Sequence, residues 1–180
     1  MVYILLGEGF EEAEALVTAD VLRRGGVEAA LTGIGGMTVS GAHKIAVCCD
    51  TAAESVSLAE GDMLVLPGGL GGVEAIQKNH FAQGLIQKAW DKGCWLAAIC
   101  AAPTILAHAG LLDRRKAVCY PGMEEQMGSA VVQPGQRVVT DGRIVTGEGP
   151  GSSFDFGLKL VEALLGAAEA EKVRHAVHYR

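Results

Sequence analysis

The chain has 180 residues, of which 49% are hydrophobic and 25 are glycine, and this size and composition suit one compact α/β domain, residues 1–180. Its net charge of −6 argues against a nucleic acid or an anionic membrane surface as the main partner. Five cysteines without C-x-x-C spacing and no apolar run of membrane-spanning length argue against a disulfide framework and a membrane protein, and they favour a cytoplasmic location.

Strand and helix patterns alternate from the first residues to the last. In chain order they predict a strand at 2–6, a helix at 11–24, a strand at Val27–Leu31, a two-strand excursion at 37–49, a strand at Asp62–Pro67, and helices at 72–78 and 81–92. They then predict a strand that ends at Ile99, a helix after Cys100, a small strand at Ala117–Tyr120, a hairpin of Arg137–Thr140 and Arg143–Thr146, and helices at 152–165 and 167–177. This alternation predicts a mostly parallel sheet with helices on both faces.

Cys100 has the most informative setting in the sequence. It ends the apolar run 96–99, and Pro103 follows in what would be the first turn of a helix. A thiol at such a strand-to-helix elbow lies at the carboxyl edge of the sheet and near the positive end of a helix dipole, which favours the thiolate. The alternative is an inert buried cysteine, which is usual for a lone cysteine in an apolar run. Its elbow makes Cys100 the candidate nucleophile.

Three acidic residues crowd the start of the first predicted helix: Glu11, Glu12 and Glu14. Acidic side chains are ordinary there because they complement the helix dipole, so each is by default a solvated charge. A carboxyl beside a thiolate would behave differently, because two close anions are unfavourable and one group keeps a proton. Such a protonated glutamate would donate to the thiolate and move protons on a bound substrate.

The glycine-rich segment Gly68–Gly72 follows the strand predicted at Asp62–Pro67. Glycines at this position let consecutive backbone N–H groups face one concavity and form an oxyanion pocket, although a flexible turn is the alternative. The segment lacks the Lys-Ser/Thr of a phosphate-binding loop. Because this loop, the loop Gly7–Phe10 and Cys100 all follow strand ends, we expect them to meet.

The sequence indicates no metal site and no bound cofactor. His43 with Cys48 and Cys49 makes a poor zinc set, since adjacent strand residues point to opposite faces. His108 lies eight residues after Cys100 on the same predicted helix, about 12 Å along its axis, which is too far for direct proton transfer.

Four segments resemble, in their order and spacing, the DJ-1/ThiJ/PfpI superfamily, in particular the branch of the Parkinsonism-associated deglycase and its bacterial relatives: residues 9–14, 66–69, 97–103 and 149–154. The resemblance implies a flavodoxin-like three-layer α/β/α sandwich and a homodimer. It implies that Cys100 is the reactive cysteine and that Glu14 is its partner. It also implies an oxyanion and substrate pocket at Gly68, Gly69 and Ala101.

The activity implied by this resemblance is that of a cysteine-dependent, cofactor-free glyoxalase or deglycase. Its substrates would be 2-oxoaldehydes such as methylglyoxal, or early glycation adducts of proteins and nucleotides, in protection against oxidative and carbonyl stress. The alternative is a redox-sensing, chaperone-like protein whose Cys100 oxidises to sulfinate with little turnover. More distant members suggest isonitrile hydration or amide hydrolysis, but the protease branch has a histidine after the elbow cysteine, where this chain has Ala101.

Tyr120 is a departure from the resemblance, because many members carry a histidine in this segment. A phenol with a pKa near 10 is a poor general base at neutral pH, but it can donate a hydrogen bond to a bound oxyanion. Tyr120 is therefore a candidate substrate-binding residue, and Glu148 is expected to add negative charge nearby.

Overall fold

A computed structural model describes residues 1–180. The strands are β1 (Val2–Leu6), β2 (Ala29–Gly33), β3 (Thr38–Ser40), β4 (Ala46–Cys48), β5 (Thr51–Ala52), β6 (Met63–Leu66), β7 (Trp95–Ile99), β8 (Lys116–Ala117), β9 (Val131–Val132), β10 (Val138–Asp141) and β11 (Ile144–Gly147). The helices are α1 (Glu12–Arg24), α2 (Leu70–Lys78), α3 (His80–Asp91), α4 (Pro103–His108), α5 (Ser153–Leu165) and α6 (Ala167–Ala176).

Seven strands form one sheet in the order β10-β11-β7-β6-β1-β2-β5, and only the β10–β11 pair is antiparallel. The crossovers β1→β2 and β6→β7 run in opposite directions, so right-handed connections place α1 and α3 on opposite faces. Helix α5 packs against α1 and α6. The flavodoxin-like three-layer α/β/α sandwich is thereby confirmed. Strand β6 is buried along its whole length because both of its faces are covered.

Most predicted boundaries agree with the structure to within two residues, but the strand predicted at Ala117–Tyr120 is wrong after its first residue. Only β8 forms there, in a separate two-stranded sheet with β9. The following N–H groups leave the ladder, since Val118 donates to Thr146 Oγ1 at 2.9 Å and Tyr120 donates to the carbonyl of Cys100 at 2.8 Å. These long-range bonds direct the chain over the cysteine.

The excursion predicted at 37–49 is the antiparallel hairpin of β3 and β4, which stands apart from the main sheet. Cys48 is exposed and Cys49 is buried, as expected from the alternation of side chains along a strand. The short edge strand β5 was not predicted. No helix combines the length and the apolar character that a membrane crossing requires.

Candidate active site

Cys100 directly follows β7 at a sharp turn of the backbone. Its φ is +67°, a left-handed conformation that is strained for a residue with a side chain. Its N–H donates to the carbonyl of Gly147 at 2.9 Å, and its own carbonyl accepts from Tyr120. Helix α4 begins three residues later with Pro103. The backbone therefore forms the strand-to-helix elbow and holds it from both sides.

Glu14 lies beneath this elbow and is almost fully buried, with 1% of its surface exposed. Its Oε2 accepts from the N–H of Gly68 at 2.6 Å, while its Oε1 has no hydrogen-bond partner. The carboxyl lies close enough to Cys100 for each group to shift the pKa of the other. A Cβ on Gly68 would lie 2.7 Å from both Cys100 Cβ and Glu14 Oε2, so only glycine leaves room for this pair.

The ionisation of Glu14 and Cys100 is coupled through their contact. Burial raises the pKa of Glu14 to about 7, although the N–H of Gly68 and the thiol favour the carboxylate. Burial and then the charge of Glu14 raise the pKa of Cys100 to about 12. The elbow predicts a pKa below the usual value for the thiol, and this prediction is wrong in direction because burial and Glu14 together outweigh the backbone donors.

The two values belong to the pair, which binds one proton between them over a wide pH range. Below a pH of about 7 both groups are protonated, and only above about 12 are both ionised. In between, a thiolate exists whenever Glu14 holds the shared proton. The arrangement thus supplies a nucleophile and an acid from the same pair.

The glycine loop after β6 brings a second set of donors to the sulfur. The N–H groups of Gly69 and Ala101 both favour the thiolate of Cys100. Gly69 has a φ of +81°, and a Cβ there would lie 2.5 Å from the carbonyl oxygen of Gly9. The N–H of Glu11 also donates to the carbonyl of Gly68 at 3.0 Å. The three loops that follow β1, β6 and β7 therefore meet, and the N–H groups of Gly69 and Ala101 give the latter two a donor arrangement that suits an oxyanion.

An open pocket of about 870 Å³ lies above the sulfur. Cys100, Ala101, Gly69 and Tyr120 line it, whereas Glu14 lies below its floor. Tyr120 is 47% exposed, so its ring forms a solvent-facing wall. Glu148 lines a separate, smaller pocket on the other side of Tyr120 and not the main one.

Several polar residues of the pocket were not predicted as site residues: Glu8, His43, Lys44 and Gln126. His43 comes from the turn between β3 and β4, and its Nδ1 lies 2.8 Å from Oε2 of Glu12. These partners are 31 residues apart, so no local sequence signal joins them. Ligand atoms of Glu11, Glu12 and His43 all lie within 4.8 Å of one another, but protein N–H groups already occupy the carboxylate of Glu12.

The chain is similar to known proteins over nearly its whole length. The model of the DJ-1/PfpI family matches residues 1–163. Protein dj-1beta of Drosophila melanogaster is 36% identical over 172 residues, which cover 94% of this chain and 92% of that protein. Glutathione-independent glyoxalase DJR-1.2 of Caenorhabditis elegans is 31% identical over 163 residues, with coverages of 91% and 87%. The structure of oxidized Toxoplasma gondii DJ-1 superposes with a TM-score of 0.93 at 31% identity and covers 99% of this chain and 97% of that one.

Proposed function

This chain belongs to the DJ-1/PfpI family, and we propose that it is a cysteine-dependent glyoxalase that converts 2-oxoaldehydes such as methylglyoxal to 2-hydroxy acids without a cofactor. The observation that carries the proposal is the buried Glu14 beside Cys100, each 2.7 Å from the point where a Cβ of Gly68 would lie, beneath an open pocket. The name of the C. elegans relative supports the same chemistry. Removal of early glycation adducts would use the same nucleophile on a larger substrate.

The first step is attack on the aldehyde. With the shared proton on Glu14, the thiolate of Cys100 attacks the aldehyde carbon and forms a hemithioacetal. The aldehyde oxygen takes up the negative charge next to the N–H groups of Gly69 and Ala101. Glu14 then protonates this oxygen and becomes a carboxylate, so the proton count is unchanged.

The second step moves hydrogen between the two carbons. The carboxylate of Glu14 removes the proton from the former aldehyde carbon and returns it to the neighbouring ketone carbon, while the hydroxyl proton of the first carbon passes to the oxygen of the second. The first carbon is oxidised and the second is reduced, so no external oxidant or reductant is consumed. The product is a thioester of Cys100, and water hydrolyses it to the 2-hydroxy acid and the free thiol. Tyr120 donates a hydrogen bond to a substrate oxygen during these changes.

The first test follows lactate formation from methylglyoxal with purified, reduced protein and no added cofactor. Cys100→Ser should lose essentially all activity, because the hemithioacetal requires sulfur. Cys94→Ser is the matched control, since this thiol is buried at the opposite end of β7. Full activity of the Cys100→Ser variant would refute the mechanism.

A second test addresses the shared proton. In Glu14→Gln the negative charge that raises the pKa of Cys100 is gone, so the pKa of the thiol should fall although burial still raises it, and alkylation at pH 7.5 should become faster than in the wild type. Lactate formation should nevertheless be lost, because the amide cannot carry a proton between the two substrate carbons. Slower alkylation or full lactate formation in this variant would contradict the proposed roles of the pair.

A redox-sensing, chaperone-like role is the second candidate, and one observation favours it. The donors that hold an oxyanion, together with a protonated Glu14, also suit the oxygens of a Cys100 sulfinate. A Toxoplasma relative has been solved in an oxidized state. Peroxide should then add two oxygens to Cys100, and the oxidised protein should suppress aggregation of an unfolded client, with no lactate formed.

We also propose the homodimer and the cytoplasmic location that the family resemblance implies. Analytical ultracentrifugation would show a species of twice the chain mass, and imaging of a tagged chain in its host would show the compartment. A monomer at micromolar concentration would contradict the first proposal.

A further inference from the structure

One wall of the pocket is the turn between β3 and β4, which we call the hairpin turn (residues 41–45). Its residues 41–44 all line the pocket. The turn carries little secondary structure of its own, and Lys44 has a left-handed φ of +68°. Two backbone bonds close the turn on itself, from the N–H of Gly41 to the carbonyl of Ile45 at 3.0 Å and from the N–H of Lys44 to the carbonyl of Gly41 at 3.1 Å. Bonds to other segments set where the closed turn lies against the pocket. One of them runs from the N–H of Ala42 to the carbonyl of Phe10 at 2.8 Å.

Glu12 makes most of the remaining bonds to the hairpin turn. Its Oε1 accepts from the N–H of His43 at 2.7 Å and from the N–H of Ile45 at 3.4 Å. Its Oε2 lies 2.8 Å from Nδ1 of His43. Glu12 is 5% exposed, and these bonds hold the pKa of its carboxyl below the usual range although burial opposes them. A buried carboxylate with this many donors is an organising centre for the turn.

The hairpin turn also fits closely around this carboxylate. A Cβ on Gly41 would lie 2.2 Å from both Cδ and Oε1 of Glu12. Glu12 is the first residue of α1, and Glu14 follows on the same helix. One rigid element therefore carries both the partner of Cys100 and the anchor of the opposite pocket wall.

We propose that Glu12 is a positioning residue whose buried carboxylate fixes the hairpin turn as a wall of the substrate pocket. Without it, the N–H groups of His43 and Ile45 lose their acceptor, and the turn must move to find water. The nucleophile and the oxyanion donors lie on other segments, so their geometry is kept. The kinetic part of this inference rests on the proposed function, whereas the structural part does not.

Hydrogen exchange tests the structural part without any turnover. In Glu12→Ala, the amides of His43 and Ile45 should exchange about tenfold faster than in the wild type, as expected for the loss of hydrogen bonds to a charged acceptor. Glu12→Gln keeps one acceptor oxygen and should restore most of the protection. Asp62→Ala is the matched control, since Asp62 is also buried and accepts from the N–H of Ala59 at 2.8 Å, far from the pocket.

Kinetics test the functional part. The KM for methylglyoxal should rise at least several-fold in Glu12→Ala, with a smaller change in kcat, because a binding wall is lost while Cys100 and Glu14 stay in place. Gly41→Ala disturbs the same contact, because its methyl group would meet the carboxylate of Glu12. It should raise both the amide exchange rates of the hairpin turn and the KM, so the proposal can be tested even if Glu12→Ala does not fold.

Two results would overturn the inference: unchanged exchange of the hairpin turn in both Glu12→Ala and Gly41→Ala, or an equal increase in Asp62→Ala. A kcat that falls while KM and exchange stay constant would also refute it. If the wild type forms no lactate but exchange responds as expected, the proposed function fails and the role of Glu12 in the turn stands.

Discussion

The two ends of strand β7 each carry a buried cysteine with a carboxylate nearby, yet the two ends are built differently. At the amino end, the thiol of Cys94 donates to the carbonyl of Ala59 at 3.2 Å, and Asp62 is its acidic neighbour. At the carboxyl end, Cys100 has the acidic neighbour Glu14. Burial raises the pKa of both thiols. The cysteine and its acid are therefore common to both ends and do not by themselves make a site.

The difference lies in what the surrounding loops leave unsatisfied. Both oxygens of Asp62 have donors, the N-terminal ammonium at 3.0 Å and the N–H of Ala59 at 2.8 Å. Glu14 keeps one oxygen without a partner, and Cys100 beside it has a strained backbone. Buried polar groups without partners are costly and concentrate at functional sites. At the carboxyl end of β7, an oxygen of Glu14 is thus left without a hydrogen-bond partner beside the thiol, whereas at the amino end both oxygens of Asp62 are hydrogen-bonded.

Thiol selectivity should show the largest difference between the two ends. Cys100 is 9% exposed at the floor of a pocket, whereas Cys94 has no exposed surface. Reaction at Cys94 requires local opening, so we expect iodoacetamide to modify Cys100 at least about a hundredfold faster at pH 7.5. Peptide mass spectrometry over time measures both rates in one sample. Equal rates would show that the two ends of β7 do not differ in the access of reagents to their thiols.

The pH dependence of stability should separate the two ends next. A carboxyl whose pKa is raised on folding binds its proton more tightly in the folded state, so Glu14 lowers stability progressively from about pH 4.5 to about 7, and the full cost persists above that. Relative to Glu14→Gln, the wild type should lose up to about 3 kcal/mol between pH 4.5 and 8. Urea unfolding of both proteins at each pH measures this.

Ionisation of the Cys100 thiol does not affect the stability difference measured between pH 4.5 and 8. The pKa of Cys100 is raised from 9 to about 12, so its contribution to the pH dependence begins only above pH 9. A parallel stability profile for the wild type and the variant would show that Glu14 ionises as easily in the folded protein as in the unfolded chain.

A smaller effect is expected when the space between the two reacting groups is filled. The methyl group in Gly68→Ala would meet Cys100 and Glu14 at 2.7 Å, and such overpacking costs about 1–3 kcal/mol. Gly84→Ala is the matched control, since this glycine lies in α3 with nothing within 4 Å, and alanine there should stabilise the protein slightly. Thermal unfolding of both variants checks this, and equal melting temperatures would contradict the tight fit at Gly68.

The same contrast explains which parts of the site can be predicted from the sequence. The elbow was predictable because an apolar run, small residues and Pro103 are local signals. The three acids at the start of α1 were not distinguishable by local pattern, and only the family resemblance selected Glu14. Glu12 is also buried in the structure, and its partner His43 lies 31 residues away in the sequence.

Where tertiary contacts override the local pattern, sequence reasoning failed. The strand predicted to end at Tyr120 stops at Ala117 because the next N–H groups bond to Thr146 and Cys100. The direction of the pKa shift of Cys100 was also wrong, because burial and a neighbouring charge depend on packing that the elbow motif does not reveal.

Tyr120→Phe should have the smallest effect, and it tests whether the carboxyl end of β7 needs a hydroxyl donor. The backbone N–H of Tyr120, and not its side chain, bonds to Cys100, so phenylalanine keeps the wall and its stability to within about 0.5 kcal/mol. Loss of one hydrogen bond to the substrate oxygen should lower kcat by about two- to tenfold. Alkylation of Cys100 should not change, because the pair with Glu14 is intact. An unchanged kcat would reduce Tyr120 to a steric wall and leave the backbone N–H groups as the oxyanion donors.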